Sequence, residues 1–116
     1  MIKVIVVGSE SFNDKAKLKE ECNKALSKQP TVEIVVNGTK GTSFIAQEYA
    51  TEKKYKTKVI VADRAKYGDN AGKIRNAEMV EYADAMIAFW DGEHKGTEHI
   101  IKIAQLVKMK LKVVRV

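Results

Sequence analysis

Apolar residues along this chain fall into short runs, each closed by a polar segment that carries glycine. Ile2-Lys3-Val4-Ile5-Val6-Val7 is a β-branched run stopped by Gly8-Ser9, short enough for a strand and nearly continuous in apolarity, the pattern of a strand covered on both faces. Val32-Glu33-Ile34-Val35-Val36, Thr57 to Ala62, Ala85 to Phe89 and Leu111 to Val116 read the same way, giving five predicted strands. Between them the spacing changes to helical. Leu18, Cys22, Ala25 and Leu26 follow i, i+4, i+7, i+8 on a helix that starts near Lys15, with Asn13 or Asp14 as cap, and ends before Pro30. Ile45, Ala46, Tyr49 and Ala50 mark a second helix, which Ser43 is placed to cap. Ile74, Ala77 and Val80 mark a third from about Ala71 to Tyr82, and Ile100, Ile103, Ala104 and Val107 a fourth that begins on Thr97.

Strands alternating with helices, with apolar strands throughout, predict an α/β fold: a Rossmann-like three-layer domain with a five-stranded parallel sheet. Right-handed crossovers with one reversal of winding give the order 3-2-1-4-5. Ligands bind such sheets at the reversal, beyond the carboxyl ends of the strands. That places the Gly8-Ser9 loop beside Trp90 to Thr97, with Gly38 to Ser43 next door. The third crossover must return from edge strand 3 to strand 4, so the long loop Asp63 to Ala71 sweeps over the strand ends, and Arg75, in the first turn of the helix after it, points toward the crevice.

A length of 116 residues and 45% hydrophobic content suit a single domain over 1–116 that buries roughly two thirds of its unfolded surface. No apolar run reaches the ~20 residues that span a bilayer, and Met1 leads directly into a strand, so a cytoplasmic protein is expected with no membrane partner. One cysteine, Cys22, excludes an intramolecular disulfide and a thiolate zinc cluster. The net charge of +6 raises nucleic acid as a partner, but the lysines are spread over every predicted helix and no block of like charge stands out.

The candidate chemistry lies in the loops. Trp90-Asp91-Gly92-Glu93-His94-Lys95-Gly96-Thr97 joins a buried strand to a helix, where free backbone amides and glycines suit an anion. Gly8-Ser9 and Gly38-Thr39-Lys40-Gly41 converge on the same crevice, with Lys40, Arg64, Lys66, Arg75 and Lys95 nearby. Arg75-Asn76 near a helix start opposes the helix dipole and calls for an anion, or else the arginine is simply solvated. Trp90 either stacks on a base or roofs the core, and Asp91 either accepts ribose hydroxyls or makes an Asx turn. His94 and His99 have no third ligand at recognisable spacing, so no metal is expected. Gly-x-Ser-x-Gly, the Walker loop and Gly-x-Gly-x-x-Gly are all absent, which removes the signatures of serine hydrolases, P-loop NTPases and ordinary dinucleotide dehydrogenases.

Four motifs in order resemble those of the SLOG superfamily, and within it the short YspA or cpYpsA-related group found in phages and bacteria. Gly8-Ser9-Glu10-Ser11-Phe12-Asn13-Asp14 resembles Gly-Ser-Arg-x-Phe-x-Asp, and Val35 to Ser43 resembles Val-Ser-Gly-Gly-Ala-Arg-Gly-Ala-Asp. Ala62-Asp63 through Tyr67-Gly68, Ala71-Gly72 and Arg75 to Met79 are similar to the third motif, and Ala88 to Gly92 with Gly96-Thr97 to the fourth. The resemblance implies binding of nucleotides or nucleotide-derived signals, with the ligand of this group unassigned; a nucleotide-type ligand is the one cofactor-like molecule the sequence suggests. More distant LOG-type relatives cleave nucleotide N-glycosidic bonds with an arginine that Arg75 matches and a glutamate in Pro-Gly-Gly-x-Gly-Thr-x-x-Glu. That glutamate falls on Ile100 here, and Glu10 replaces the arginine of the first motif.

The sequence therefore supports a nucleotide binder, a sensor or sequestering protein, held by Gly8, Ser9, Gly38, Thr39, Lys40, Gly41, Arg75, Asn76, Trp90, Asp91, Gly92, Gly96 and Thr97. The alternatives are an N-glycosidase using Arg75 and Glu98, and a basic module for nucleic acid. Self-association into a homo-oligomer stays open.

Overall fold

The computed structural model describes residues 1–116. Its strands are β1 (Ile2–Gly8), β2 (Val32–Val36), β3 (Lys56–Val59), β4 (Ala85–Trp90) and β5 (Lys110–Arg115), all parallel and in the order β3-β2-β1-β4-β5. The pattern of apolar runs thus gives the right sheet. Successive residues of a strand point to opposite faces, and the core divides accordingly. Val4, Val6, Ile34 and Ile87 pack under α1 (Lys15–Leu26) and α2 (Thr42–Lys53), where the Phe12 and Phe89 rings stack with centroids 5.1 Å apart. Ile5, Val7, Val35 and Met86 pack under the helices of the other face.

Those helices follow a return crossover that is not a bare loop. Asp63 caps a one-turn helix, α3 (Arg64–Tyr67), by accepting from the Lys66 amide at 3.1 Å; a 3₁₀ turn over Gly68–Asn70 follows, leading into α4 (Ala71–Tyr82). Arg75 is consequently in the second turn of its helix, not the first. α5 (Lys95–Leu106) completes the layer. It starts two residues earlier than the apolar pattern predicts, because the His94 side chain rather than a loop backbone caps it.

Several face assignments also change. β3 is shorter than Thr57 to Ala62, and its four residues are all exposed, so strand 3 is a solvated edge and not a strand covered on both faces. Ala25 and Ala77 face solvent, as does Val107 just past the end of α5, whereas Glu21, Asn76 and Ile101 are buried. An alanine on a helix flank adds little apolar area, so neighbours with a polar partner take the inner place. Glu21 has that partner: Lys112 of β5 brings its ammonium 3.2 Å from Oε2 and, with Lys17 and Lys24, holds the carboxyl below its ordinary range. The pair ties α1 to the far edge strand. Ser43 does not cap α2, which has no side-chain cap; its hydroxyl instead accepts from the Gly38 amide at 3.0 Å and closes the preceding loop. No helix is long and apolar enough to cross a membrane.

Candidate functional site

The sheet reverses its winding between β1 and β4, which pair from Val4–Ala85 to Gly8–Phe89. Beyond their carboxyl ends lies a cavity of about 300 Å³ lined by 17 residues, of which only Val7 and Ile100 are hydrophobic. Its charged lining is Arg64, Lys73, Arg75 and Lys95 against Glu10 and Asp69. A cavity of this composition favours an anion.

The cationic wall is built at the joint between α4 and α5. Asn76 is buried, and its polar contacts with three residues fix its orientation. Oδ1 accepts from Arg75 Nη2 at 3.1 Å and Nε at 3.3 Å, while Nδ2 donates to the Gly96 carbonyl at 3.4 Å and faces His99 Nδ1 at 3.0 Å. Because a guanidinium only donates, the amide nitrogen must be the atom facing His99. His99 Nδ1 therefore accepts, and the neutral ring carries its proton on Nε2. Burial, with Lys73 adding repulsion, keeps the His99 pKa below its ordinary value. Arg75 is half-buried, and its guanidinium is held below its usual range by desolvation first and then by the neighbouring Arg64. Its partner inside the protein is a neutral amide rather than a carboxylate. At the start of α5, His94 Nδ1 accepts from the Thr97 amide at 3.2 Å and lies 2.7 Å from Thr97 Oγ1, so this ring too has Nε2 as its donor.

A second, more open hollow of about 820 Å³ adjoins the first, and Glu10 and Thr39 line both. Its walls are Ser11, Asn13, Gly38, Lys40, Gly41 and the first two turns of α2 with Phe44, Ile45 and Gln47. The two glycine loops are locked against each other here. Gly41 has φ +71°, and a Cβ on it would come within 2.6 Å of the Glu10 carbonyl carbon, so only glycine allows this approach. Thr42 Oγ1 donates to the Ser9 carbonyl at 3.0 Å, and Asn37 Oδ1 receives the Thr39 amide and hydroxyl at 3.1 and 2.8 Å.

The structure therefore brings Gly8, Thr39, Arg75, Asn76, Gly96 and Thr97 into the first cavity, and Gly38, Thr39, Lys40 and Gly41 into the second hollow. Ser9 is buried beneath them. Trp90, Asp91 and Gly92 line neither. The Trp90 indole donates to the His94 carbonyl at 3.1 Å and lies under the Arg115 guanidinium, 6.0 Å from its ring centroid. Asp91 makes the Asx turn, accepting from the Glu93 and His94 amides at 2.8 Å each, bonds that lower its carboxyl pKa. Gly92 packs on Arg115. These three residues shape the loop, and the loop positions the start of α5. Glu98 lies outside the lining, 3.6 Å from Lys102 and 4.0 Å from Lys95, since one helical residue turns a side chain by ~100° from its neighbour. Ile100 is fully buried.

Asn37, Asp69, Lys73 and both histidines join the lining without having been singled out as ligand contacts. The signal for two of them was a polar stripe: Asp69, Gly72, Lys73 and Asn76 follow i, i+3, i+4, i+7 and present one face to the cavity. His94 stands three residues before Thr97, the spacing of a side-chain cap to the N3 amide.

Searches of curated proteins and of solved structures returned no match. The sequence profile of the YspA, cpYpsA-related SLOG family matches residues 2–67, which takes in both glycine loops and α3. That match covers more than half of the chain and agrees with the parallel sheet and the crevice at its reversal, so the chain belongs to the YspA, cpYpsA-related SLOG family.

Proposed function

We propose that the protein binds a nucleotide or nucleotide-derived molecule in this crevice, with the phosphate against Arg75 and the N-terminus of α5, as a sensor or sequestering protein. The observation that carries this reading is Arg75 itself. A half-buried guanidinium whose protein acceptor is a neutral amide, with Arg64 as the charge acting on it, is a cation stabilised by an external anion. Lys73 and the amides at the start of α5 add to the same field. Membership of the SLOG family agrees with a ligand of nucleotide type.

Binding is preferred to cleavage because hydrolysis of an N-glycosidic bond needs a carboxylate against the developing charge on the ribose. By resemblance to the LOG-type motif, that carboxylate's position falls on Ile100, and Glu98 is engaged with two lysines. The test is calorimetric titration with nucleoside monophosphates, ADP-ribose and cyclic nucleotides. Replacing Arg75 by Ala removes a charge-assisted contact worth about 2 kcal/mol, so affinity falls roughly 30-fold. Absence of binding to every member of the panel, or an Arg75→Ala variant that binds as the parent does, rejects the reading.

A further inference from the structure

The two hollows differ in chemistry in a way that orients the ligand. The first is dominated by cations, with Arg64, Lys73 and Arg75 at its wall. In the second, Lys40 is the only cation and Glu10 offsets it, which leaves amides, hydroxyls and one aromatic ring. That ring is Phe44, 61% exposed in the first turn of α2. An exposed phenylalanine costs hydrophobic free energy. Here it sits in a concave wall with Asn13 and Gln47, side chains that can donate to and accept from the edge of a heterocycle. The Gln47 amide nitrogen makes only long contacts, 3.4 Å to the Ser43 carbonyl and 3.5 Å to its hydroxyl, so it can exchange them for a ligand.

Resting on the phosphate reading above, we infer that the ligand lies across the Glu10–Thr39 ridge and stacks its base on Phe44 in the second hollow. Trp90, the aromatic that the sequence offers for stacking, is committed to the His94 carbonyl and Arg115 and lines neither hollow. Glu10 lines both hollows, and in this pose its carboxylate is the acceptor between the two ends of the ligand. It receives hydroxyls of the pentose and repels a second phosphate placed there. The ligand class is therefore a nucleoside carrying its phosphate at one end, with free hydroxyls and a planar base at the other.

The experiment compares AMP, GMP, CMP and UMP with ribose 5-phosphate, by calorimetry, on the parent and on Phe44→Ala, Phe44→Tyr and Arg75→Ala. Phe44 is exposed, so its replacement should leave the melting temperature unchanged. Phe44→Ala should weaken the best nucleotide about tenfold while leaving ribose 5-phosphate as it was, and Phe44→Tyr should restore the affinity. Arg75→Ala should weaken both ligands alike. If ribose 5-phosphate binds the parent as tightly as every nucleotide, or Phe44→Ala binds nucleotides as the parent does, the base is not on Phe44 while the phosphate site stands. If neither ligand type binds the parent, the placement on Phe44 falls, and the phosphate reading falls with it only when ADP-ribose and the cyclic nucleotides also fail to bind.

Discussion

Gly41 fixes the distance between the two glycine loops, and its cost of substitution can be separated into backbone and steric parts. Its backbone, φ +71° with ψ −117°, lies outside the left-handed helical well and strains any residue with a Cβ by about 1 to 3 kcal/mol. A methyl there also meets the Glu10 backbone, which cannot yield without moving the first loop. Gly68 shares the positive φ, at +58°, but a Cβ on it would meet nothing within 4 Å. Gly68→Ala should therefore lower stability by about 2 kcal/mol through backbone strain alone, and Gly41→Ala by clearly more, measured by denaturant unfolding at constant m. Equal losses would show that the loops are not held by this contact. Because the contact also sets the Glu10 ridge, Gly41→Ala should weaken ligand binding where Gly68→Ala does not.

At the level of elements, the joint between α4 and α5 is the part that carries the site, and it is sensitive to pH. His99 accepts from Asn76 as a neutral ring, and protonation would set an N–H against the amide N–H. Its folded pKa lies below the unfolded value of 6.5, so the unfolded chain binds the proton more readily. The corresponding stability is complete above pH 6.5 and is lost as pH falls through the folded pKa. Replacing His99 by Asn, whose Oδ1 can accept but cannot titrate there, should flatten the loss of stability just below pH 6.5; an unchanged pH profile would show that His99 does not contribute it. This joint also marks how far the sequence could be read. Strand order followed from apolar runs and crossover handedness, which need only local pattern and the chirality of the chain. Asn76 and Glu21 were not legible as buried positions, because their places depend on partners distant in sequence, His99 and Gly96 for one and Lys112 for the other. The glycine loops and Arg75 were legible as a cluster from topology alone. Trp90 was not, since a ring after a buried strand can turn either to the crevice or to the edge strand, and Arg115 lies 25 residues further along the chain.

Across the whole molecule, burial grades from the centre of the sheet to one edge, and the site straddles that gradient. β1 and β4 are buried along nearly their whole length, whereas all four residues of β3 and every residue of Arg64–Tyr67 but half-buried Tyr67 are exposed. Local opening is cheapest where few apolar contacts hold a segment. Amide exchange should therefore reach the global unfolding limit in β1 and β4 and be fastest in β3 and in 64–70. The Glu21–Lys112 pair should keep β5 better protected than β3, although both are edges. Arg64 and Asp69 belong to the labile segment yet line the cavity together with the rigid ends of β1 and the start of α5. A bound phosphate should therefore slow exchange over 64–70 far more than over β3, which contributes no residue to the lining, and leave the ranking of β1 and β4 unchanged. Uniform slowing at every amide would mean that the ligand acts only through global stability, as any ligand selective for the folded state does. The local effect at 64–70 is what distinguishes a site closed by the return crossover from one confined to the two glycine loops.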